Sequence, residues 1–128
     1  MPVLDLDHFN LQVPAEQLEL LCDFYCRVIG LQDGQRPLRS QGRWLYAGDK
    51  ALVHLSVRPI DFCPAASTGH FGHIAFSCRD LTAMLSHLDQ CQVTYDVKDR
   101  GEQTQVFLND PCGVLVELNF NEPLNPTP

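Results

Sequence analysis

The sequence has no excess of basic residues and no long apolar run, and both absences restrict what the protein can bind. Its 128 residues include nine Lys and Arg against sixteen Asp and Glu, so the formal net charge is −7. Nucleic acids and anionic lipid surfaces attract basic proteins, and we therefore expect neither as a partner. A membrane-spanning helix needs about 20 consecutive apolar residues, which this sequence does not contain. The 45% apolar and 20% charged residues are typical of a globular domain.

A cationic leader and any CxxC pair are also missing. The first residues, Met1 to Asp5, carry no positive charge, so we expect no signal peptide and a cytoplasmic protein. In that reducing compartment the cysteines should be free thiols rather than disulfides, and the lack of CxxC argues against a zinc knuckle. The six cysteines stand at positions 22, 26, 63, 78, 91 and 112. The first two lie four residues apart on a predicted helix and could touch.

One strand and helix pattern occurs twice along the chain. In the first half, a strand is predicted over Leu4–Val13, followed by a helix that begins near Pro14 and ends at Gly30. The apolar positions of this helix recur every three or four residues, at Leu18, Leu21, Tyr25 and Val28. The strands expected after it are Gln35–Arg39, Trp44–Ala47 and Ala51–Val57, the last two joined by a turn at Gly48-Asp49-Lys50.

The second half repeats this order after a linker rich in Pro, Ala, Ser and Thr at residues 58–69. A strand over Phe71–Cys78 leads to a helix for which Asp80 is the predicted N-cap. Three strands follow, at Val93–Val97, Gln103–Leu108 and Val114–Phe120. We therefore predict a single domain over residues 1–122, made of module one at 1–61 and module two at 69–122, with a loose tail at 123–128.

Aligning the two halves places potential metal ligands at equivalent positions. His8 matches His73, and His54 matches Glu117, while Trp44-Leu45-Tyr46 is aligned with Val106-Phe107-Leu108. Because side chains alternate across a strand, the four ligands share the polar faces of their strands, opposite apolar faces that pack against the helices. Imidazole and carboxylate groups bind zinc, iron, manganese, nickel and cobalt. The pattern indicates one divalent metal site.

These residues resemble the vicinal oxygen chelate superfamily, which includes glyoxalases, bleomycin resistance proteins and extradiol dioxygenases. The resemblance is carried by Leu6-Asp7-His8, Phe24-Tyr25, Ile29-Gly30-Leu31, Gly72 to Phe76 and Asp110 to Leu118. It implies an α+β fold in which two βαβββ modules form a curved mixed sheet around a central cavity. By the same resemblance, the ligands of one divalent ion (Zn, Fe(II), Ni, Mn or Co) are His8, His54, His73 and Glu117.

Three functions remain open at this stage. The first is a metal-dependent lyase or isomerase that chelates neighbouring oxygens of a small substrate, with Glu117 or His54 moving a proton. The second is an Fe(II) extradiol-type dioxygenase of a catechol, in which His8, His73 and Glu117 hold the iron and His54 is the acid or base. The third is a non-enzymatic protein that binds a small molecule such as a drug.

Contacts to the substrate and to a second chain can also be predicted. Trp44 and Tyr46 could stack on a ring, and Arg43 and Gln105, together with Arg39 and Arg100, could meet a polar or anionic group. Small members of the superfamily are commonly homodimers with shared sites. The resemblance therefore implies a homodimer in which His8 and His54 come from one chain and His73 and Glu117 from the other.

Overall fold

A computed structural model describes residue 2, residues 4–59 and residues 72–125. The chain divides into two compact units, Met1–Ala65 and Ala66–Pro128, each with its own four-stranded sheet. Neither helix in the described part of the chain has the length or apolar character needed to cross a lipid bilayer. Most of the predicted linker, Phe71 at the start of the second predicted strand, and the end of the predicted tail lie outside the described residues.

The first unit has the order βαβββ that the repeat predicts. Strand β1 lies parallel to β4, and the neighbouring pairs β4–β3 and β3–β2 are antiparallel, giving the sheet order β1-β4-β3-β2. The elements are β1 (Phe9–Pro14), a 3₁₀ turn (Ala15–Gln17), α1 (Leu18–Asp23), a π-type turn (Phe24–Val28), β2 (Gln32–Gly34), β3 (Gly42–Ala47) and β4 (Lys50–Arg58).

The core of this unit confirms the predicted periodicity. All four apolar helix positions, Leu18, Leu21, Tyr25 and Val28, are at most 1% exposed. On the sheet, Leu45, Val53 and Leu55 share the apolar face and are fully buried. The helical segment, α1 and the π-type turn after it, ends at Val28. Gly30, which follows, has a φ of +102°, a left-handed conformation that a residue without Cβ adopts without strain.

Two predicted strands of the first unit are corrected. The first strand begins at Phe9 rather than Leu4, because its pairing with β4 starts at Phe9 opposite Val53, so His8 directly precedes the strand. The second strand is Gln32–Gly34, not Gln35–Arg39. The ring of Tyr46 lies against Gly34, where an added Cβ would come within 2.7 Å of the ring, and Pro37 in the predicted segment has no N–H to donate.

The second unit has the same topology. Strand β5 is parallel to β8, the pairs β8–β7 and β7–β6 are antiparallel, and the sheet order is β5-β8-β7-β6. Its elements are β5 (Ile74–Cys78), α2 (Leu81–Gln90), β6 (Asp96–Asp99), β7 (Thr104–Asn109) and β8 (Leu115–Phe120). The apolar sheet face is again fully buried, at Val106, Val116, Leu118 and Phe120.

The N-terminus of α2 is capped by a residue far along the chain. Asp80 has a φ of +64° and its side chain makes no capping hydrogen bond, which corrects its predicted role. Instead, the carboxylate of Glu122 accepts hydrogen bonds from the backbone N–H groups of Asp80 at 2.8 Å and Leu81 at 3.1 Å. A carboxylate there satisfies free helical N–H groups and complements the helix dipole.

The strand pairing also corrects two other predictions in the second unit. Strand β6 is Asp96–Asp99 rather than Val93–Val97. Strand pairing places Trp44 opposite His54 and Phe107 opposite Glu117. When the two halves are aligned, Trp44 therefore corresponds to Phe107 and not to Val106. The alignment predicted from hydrophobic residues was therefore wrong by one residue. A shift of one residue exchanges the two faces of a strand.

The cysteines that the structure describes are thiols, as expected. The five that lie within the described residues, at positions 22, 26, 78, 91 and 112, are all free, and Cys63 lies outside that part of the chain. The Sγ atoms of Cys22 and Cys26 are 4.0 Å apart, so the two side chains do touch. Burial raises the pKa of the Cys22 thiol to about 12, which leaves it protonated and unreactive.

Candidate metal and ligand site

In the second unit, Glu117 lies at the centre of the polar sheet face. The pairing places Ala75 and Phe107 directly beside it on the neighbouring strands. The carboxylate is only 7% exposed, and its Oε1 lies 3.2 Å from Nε2 of His73. Gln105 donates a hydrogen bond from Nε2 to the other carboxylate oxygen, Oε2, at 3.3 Å. This buried carboxylate is therefore held between an amide and an imidazole.

The spacing of His73 and Glu117 suits two ligands of one ion. Donor atoms that each lie about 2.1 Å from a tetrahedral or octahedral ion are about 3.0–3.4 Å from each other. The observed separation of Nε2 and Oε1, 3.2 Å, falls inside that range. The hydrogen bond from Gln105 leaves Oε1 available, because it engages only Oε2. The separation of these two side chains is therefore compatible with a shared divalent ion.

In the first unit, the two predicted ligands form part of a stack of three rings. The ring of His54 lies between His8, at 3.7 Å between centroids and 13° between planes, and Trp44, at 4.1 Å and 12°. His54 is 9% exposed and the side chain of His8 is 38% exposed. Asp7 accepts a hydrogen bond from Nδ1 of His8 at 2.7 Å, which fixes the outer ring of the stack.

The stack limits how these two imidazoles could coordinate an ion. The lone pair of an imidazole nitrogen lies in the plane of its ring, and two nearly parallel planes that lie one above the other do not meet close to either ring. In this arrangement one ring of the pair can bind a given ion, and the second could join it only after rotating. Within either unit, so far as its residues are described, no three His, Cys, Asp or Glu side chains form a group suited to a metal.

The electrostatics of the stack favour a neutral His54. Burial, and next the charge of His8, lower the pKa of His54 below its usual value, although Asp7 and a backbone contact to Ala51 act in the opposite direction. The hydrogen bond from His8 lowers the pKa of Asp7. An unprotonated imidazole at neutral pH is the form that can accept a proton from a substrate.

The predicted substrate-binding residues lie in different surroundings. Trp44 and Gln105 lie on the polar faces, beside His54 and Glu117 respectively. Tyr46 donates a hydrogen bond from its hydroxyl to the backbone oxygen of Gln35, at 2.5 Å, and lines an open recess of about 370 Å³ beside β2. The side chain of Arg43 forms ion pairs with Glu19, at 2.7 Å, and with Asp33, at 3.1 Å.

Three residues on the polar face of the second unit were not among the predicted site residues. Phe107 meets His73 edge to face, with ring centroids 6.2 Å apart, and Lys98 lies 5.8 Å from the centre of the same ring. Asn119 has a buried Oδ1 without a hydrogen-bond partner. Phe107 could have been found by placing Trp44 and Phe107 at the same position of the repeat.

The two units, with their shared topology and their equivalent polar faces, define a class of protein. The chain belongs to the Glyoxalase/Bleomycin resistance protein/Dioxygenase superfamily, whose family model matches residues 5–118. The resemblance to the vicinal oxygen chelate proteins is thereby confirmed, as is the α+β fold with two βαβββ modules. No curated protein matches the chain in sequence.

Solved structures share this fold at low sequence identity. A glyoxalase family protein from Bacillus anthracis is 22% identical, with a TM-score of 0.75 over 94% of this chain and 97% of that one. A lactoylglutathione lyase from Agrobacterium tumefaciens is 17% identical, with a TM-score of 0.65 over 94% and 96%. An antibiotic binding protein from Streptomyces sp. CB03234 is 20% identical, with a TM-score of 0.66 over 94% and 98%. Since these include a lyase and a binding protein, the fold does not select the activity.

Proposed function

We propose that this protein is a divalent-metal-dependent enzyme of the lyase or isomerase type that acts on a small molecule with neighbouring oxygens. The observation that carries the proposal is the pairing of His73 with the buried carboxylate of Glu117 at the separation of two metal ligands. The proposal adds His8 as a further ligand and His54 as a ligand or a base. When bound, a divalent ion would polarise the substrate oxygens and stabilise negative charge on them.

The residues around these ligands have separate tasks in the proposal. Gln105 orients the carboxylate of Glu117 through its hydrogen bond to Oε2, so that Oε1 stays turned toward His73. His54 accepts a proton from the substrate, because its lowered pKa keeps the ring neutral at pH 7 and the rings of His8 and Trp44 hold it in place. Glu117 is the alternative proton acceptor.

Metal binding by ligand variants tests the proposal. The wild-type chain, loaded with Zn²⁺ or Ni²⁺ and desalted, is expected to retain about one ion per chain by elemental analysis. His73→Ala and Glu117→Gln should each weaken binding by at least about tenfold, since even loss of a residue that only supports a ligand weakens metal affinity by about 10–100-fold. Glu117→Gln keeps the volume of the buried side chain and so spares the fold.

Matched control variants separate ligand loss from general damage. His87→Ala removes an imidazole from α2, where its ring contacts the Sγ of Cys91, and Glu102→Gln removes an exposed carboxylate. Both should bind metal as the wild type does. Full metal occupancy in His73→Ala and in Glu117→Gln would contradict the ligand assignment. Turnover of a hemithioacetal by the Zn²⁺ or Ni²⁺ protein would support the lyase reaction.

A second candidate reaction is extradiol-type cleavage of a catechol. It is favoured by the ring stack, because nearly parallel His8 and His54 leave one imidazole of the pair to join His73 and Glu117. Two imidazoles and one carboxylate are the ligand set of non-haem Fe(II) oxygenases. Oxygen uptake with a catechol by anaerobically loaded Fe(II) protein would select this reaction over the lyase.

A non-enzymatic role is the remaining alternative. The three stacked rings in the first unit could extend onto an aromatic ligand, and one structural relative is an antibiotic binding protein. A chain that binds no divalent metal at micromolar concentration, yet binds an aromatic drug, would favour this role. We also propose the cytoplasmic location that the sequence leads us to expect.

A further inference from the structure

The edge strand of the second unit brings two cations onto the face that carries Glu117. Lys98 is paired with Gln105, and Gln105 with Asn119, so all three side chains lie on the same side of the sheet. Glu117 shares that side, since it stands two residues before Asn119 on the same strand. Arg100, just after the end of β6, joins the group through a hydrogen bond from its Nε to Oε1 of Gln105, at 2.9 Å.

Both cations contact residues that touch the proposed metal ligands. The ammonium of Lys98 lies 5.8 Å from the centre of the Phe107 ring, and the same ring meets His73 edge to face. Arg100 is linked through the amide of Gln105 to the carboxylate of Glu117. Positive charge therefore stands next to the ligand pair on both the Phe107 and the Gln105 side.

Neither of these two cations has an acidic partner among the residues that the structure describes. Arg27, Arg43 and Lys50 each form an ion pair with an aspartate or a glutamate. Across the described ranges 4–59 and 72–125, neither Lys98 nor Arg100 forms one. In a chain of net charge −7, Lys98 near the Phe107 ring and Arg100 beside Gln105 are available to an anionic ligand.

We propose that Lys98 and Arg100 bind the carboxylate of the substrate, while Phe107 contacts its apolar or aromatic body. This inference rests on the proposed function, because it places the carboxylate at one end of a molecule whose neighbouring oxygens reach His73 and Glu117. The substrate class is thus a small organic acid with an apolar centre. Asp96 lies on the same face, beside Phe107, and its charge disfavours a dianionic group such as a phosphate.

Binding of a simple probe to the metal-free protein tests the inference independently of catalysis. The probe is 3-phenylpropionate, and its uncharged counterpart is 3-phenylpropanamide, each titrated and followed by NMR shifts of β6 and β7. The acid should bind more tightly than the amide. In Lys98→Ala/Arg100→Ala the acid should lose about threefold to tenfold in affinity, the size expected for two partly exposed ion pairs, and added salt should weaken binding to the wild type.

A matched double variant controls for the change in net charge. Arg27→Ala/Arg79→Ala removes the same charge from elsewhere on the surface and should leave the affinity for the acid unchanged. Equal binding of acid and amide by the wild type would overturn the inference, and so would full affinity in Lys98→Ala/Arg100→Ala. Because the probe contains no neighbouring oxygens and no metal is present, failure of the proposed metal chemistry would show separately, as loss of ion binding with probe binding intact.

Discussion

At the residue scale, the most informative side chain is His54, because its environment differs from that of an ordinary strand histidine. It is the middle ring of three, it is 9% exposed, and both of its ring faces are covered by aromatic neighbours. Its counterpart in the repeat, Glu117, is equally buried but is held by a hydrogen bond from Gln105 and a contact with His73 instead of stacking. Equivalent positions of the two modules thus differ in their contacts. His54 stacks on aromatic rings, whereas the carboxylate of Glu117 accepts a hydrogen bond from the Gln105 amide.

The lowered pKa of His54 predicts a pH dependence. Because burial and the charge of His8 disfavour protonation in the folded state, the unfolded chain takes up a proton at a higher pH than the folded chain does. The stability linked to His54 is therefore complete above about pH 6.5 and is lost as the pH falls through the lower folded-state pKa. In an NMR titration of metal-free protein, the His54 midpoint should fall below 6.5.

Two variants check the cause of this shift. His8→Ala removes both a covering ring and a neighbouring charge, so it should raise the His54 midpoint. His54→Gln removes the titrating group, and its free energy of unfolding should fall less between pH 7.5 and pH 5 than that of the wild type. A wild-type midpoint at or above 6.5 would show that burial does not control this ring.

At the scale of elements, the cap of α2 explains why the segment after the last strand matters to the helix. Thr104, fully buried at the start of β7, donates its hydroxyl hydrogen to the backbone oxygen of Glu122, at 2.8 Å. That bond positions the Glu122 carboxylate over the first N–H groups of the helix. Asp80, in its left-handed conformation, contributes the turn rather than the cap.

Removing the cap should destabilise the second unit. Glu122→Ala leaves the N–H groups of Asp80 and Leu81 without their carboxylate, and the loss should be about 1 kcal/mol, with a range of about 0.5–2 kcal/mol for helix caps. Glu102→Ala, in an exposed loop, should change the free energy of unfolding by less than about 0.5 kcal/mol. Urea denaturation of both variants measures the difference, and equal stabilities would refute the capping role.

At the scale of the whole molecule, the number of chains that build one site can be tested. We propose the homodimer that the family resemblance implies, in which His8 and His54 of one chain serve with His73 and Glu117 of the other. Light scattering should then give twice the 14.4 kDa mass of the chain. Each symmetric dimer would contain two equivalent sites.

Mixing two defective variants distinguishes shared sites from separate ones. His8→Ala and Glu117→Gln should each bind metal poorly alone. If sites are shared, a mixed dimer holds one intact site, so random mixing should restore about a quarter of the wild-type metal. If each chain builds its own site, every site in the mixture carries one defect and nothing is restored. Elemental analysis of the mixture, after the two variants are unfolded and refolded together, distinguishes shared from separate sites. The control is His87→Ala mixed with either variant in the same way.

The repeat, the helices and the identity of the polar residues could be predicted from the sequence alone. Periodicities of two and of three to four residues are local, and they predict the buried faces of α1, β4 and β8. The ligand candidates followed because equivalent strands carry His or Glu at equivalent positions. The family could also be predicted from the sequence, since each of its motifs is a short contiguous segment of the chain.

Register, strand ends and partners were decided by the tertiary structure. Which residue stands opposite Glu117, where β1 and β2 begin, and what caps α2 all depend on groups distant in sequence, which local periodicity does not encode. The parallel stacking of His8 on His54 likewise depends on the packing of three rings from separate strands and their flanks. The local pattern thus determined which residues lie on the polar face, because alternation is a property of one strand. The tertiary structure decided which of those residues meet, because a contact depends on several strands.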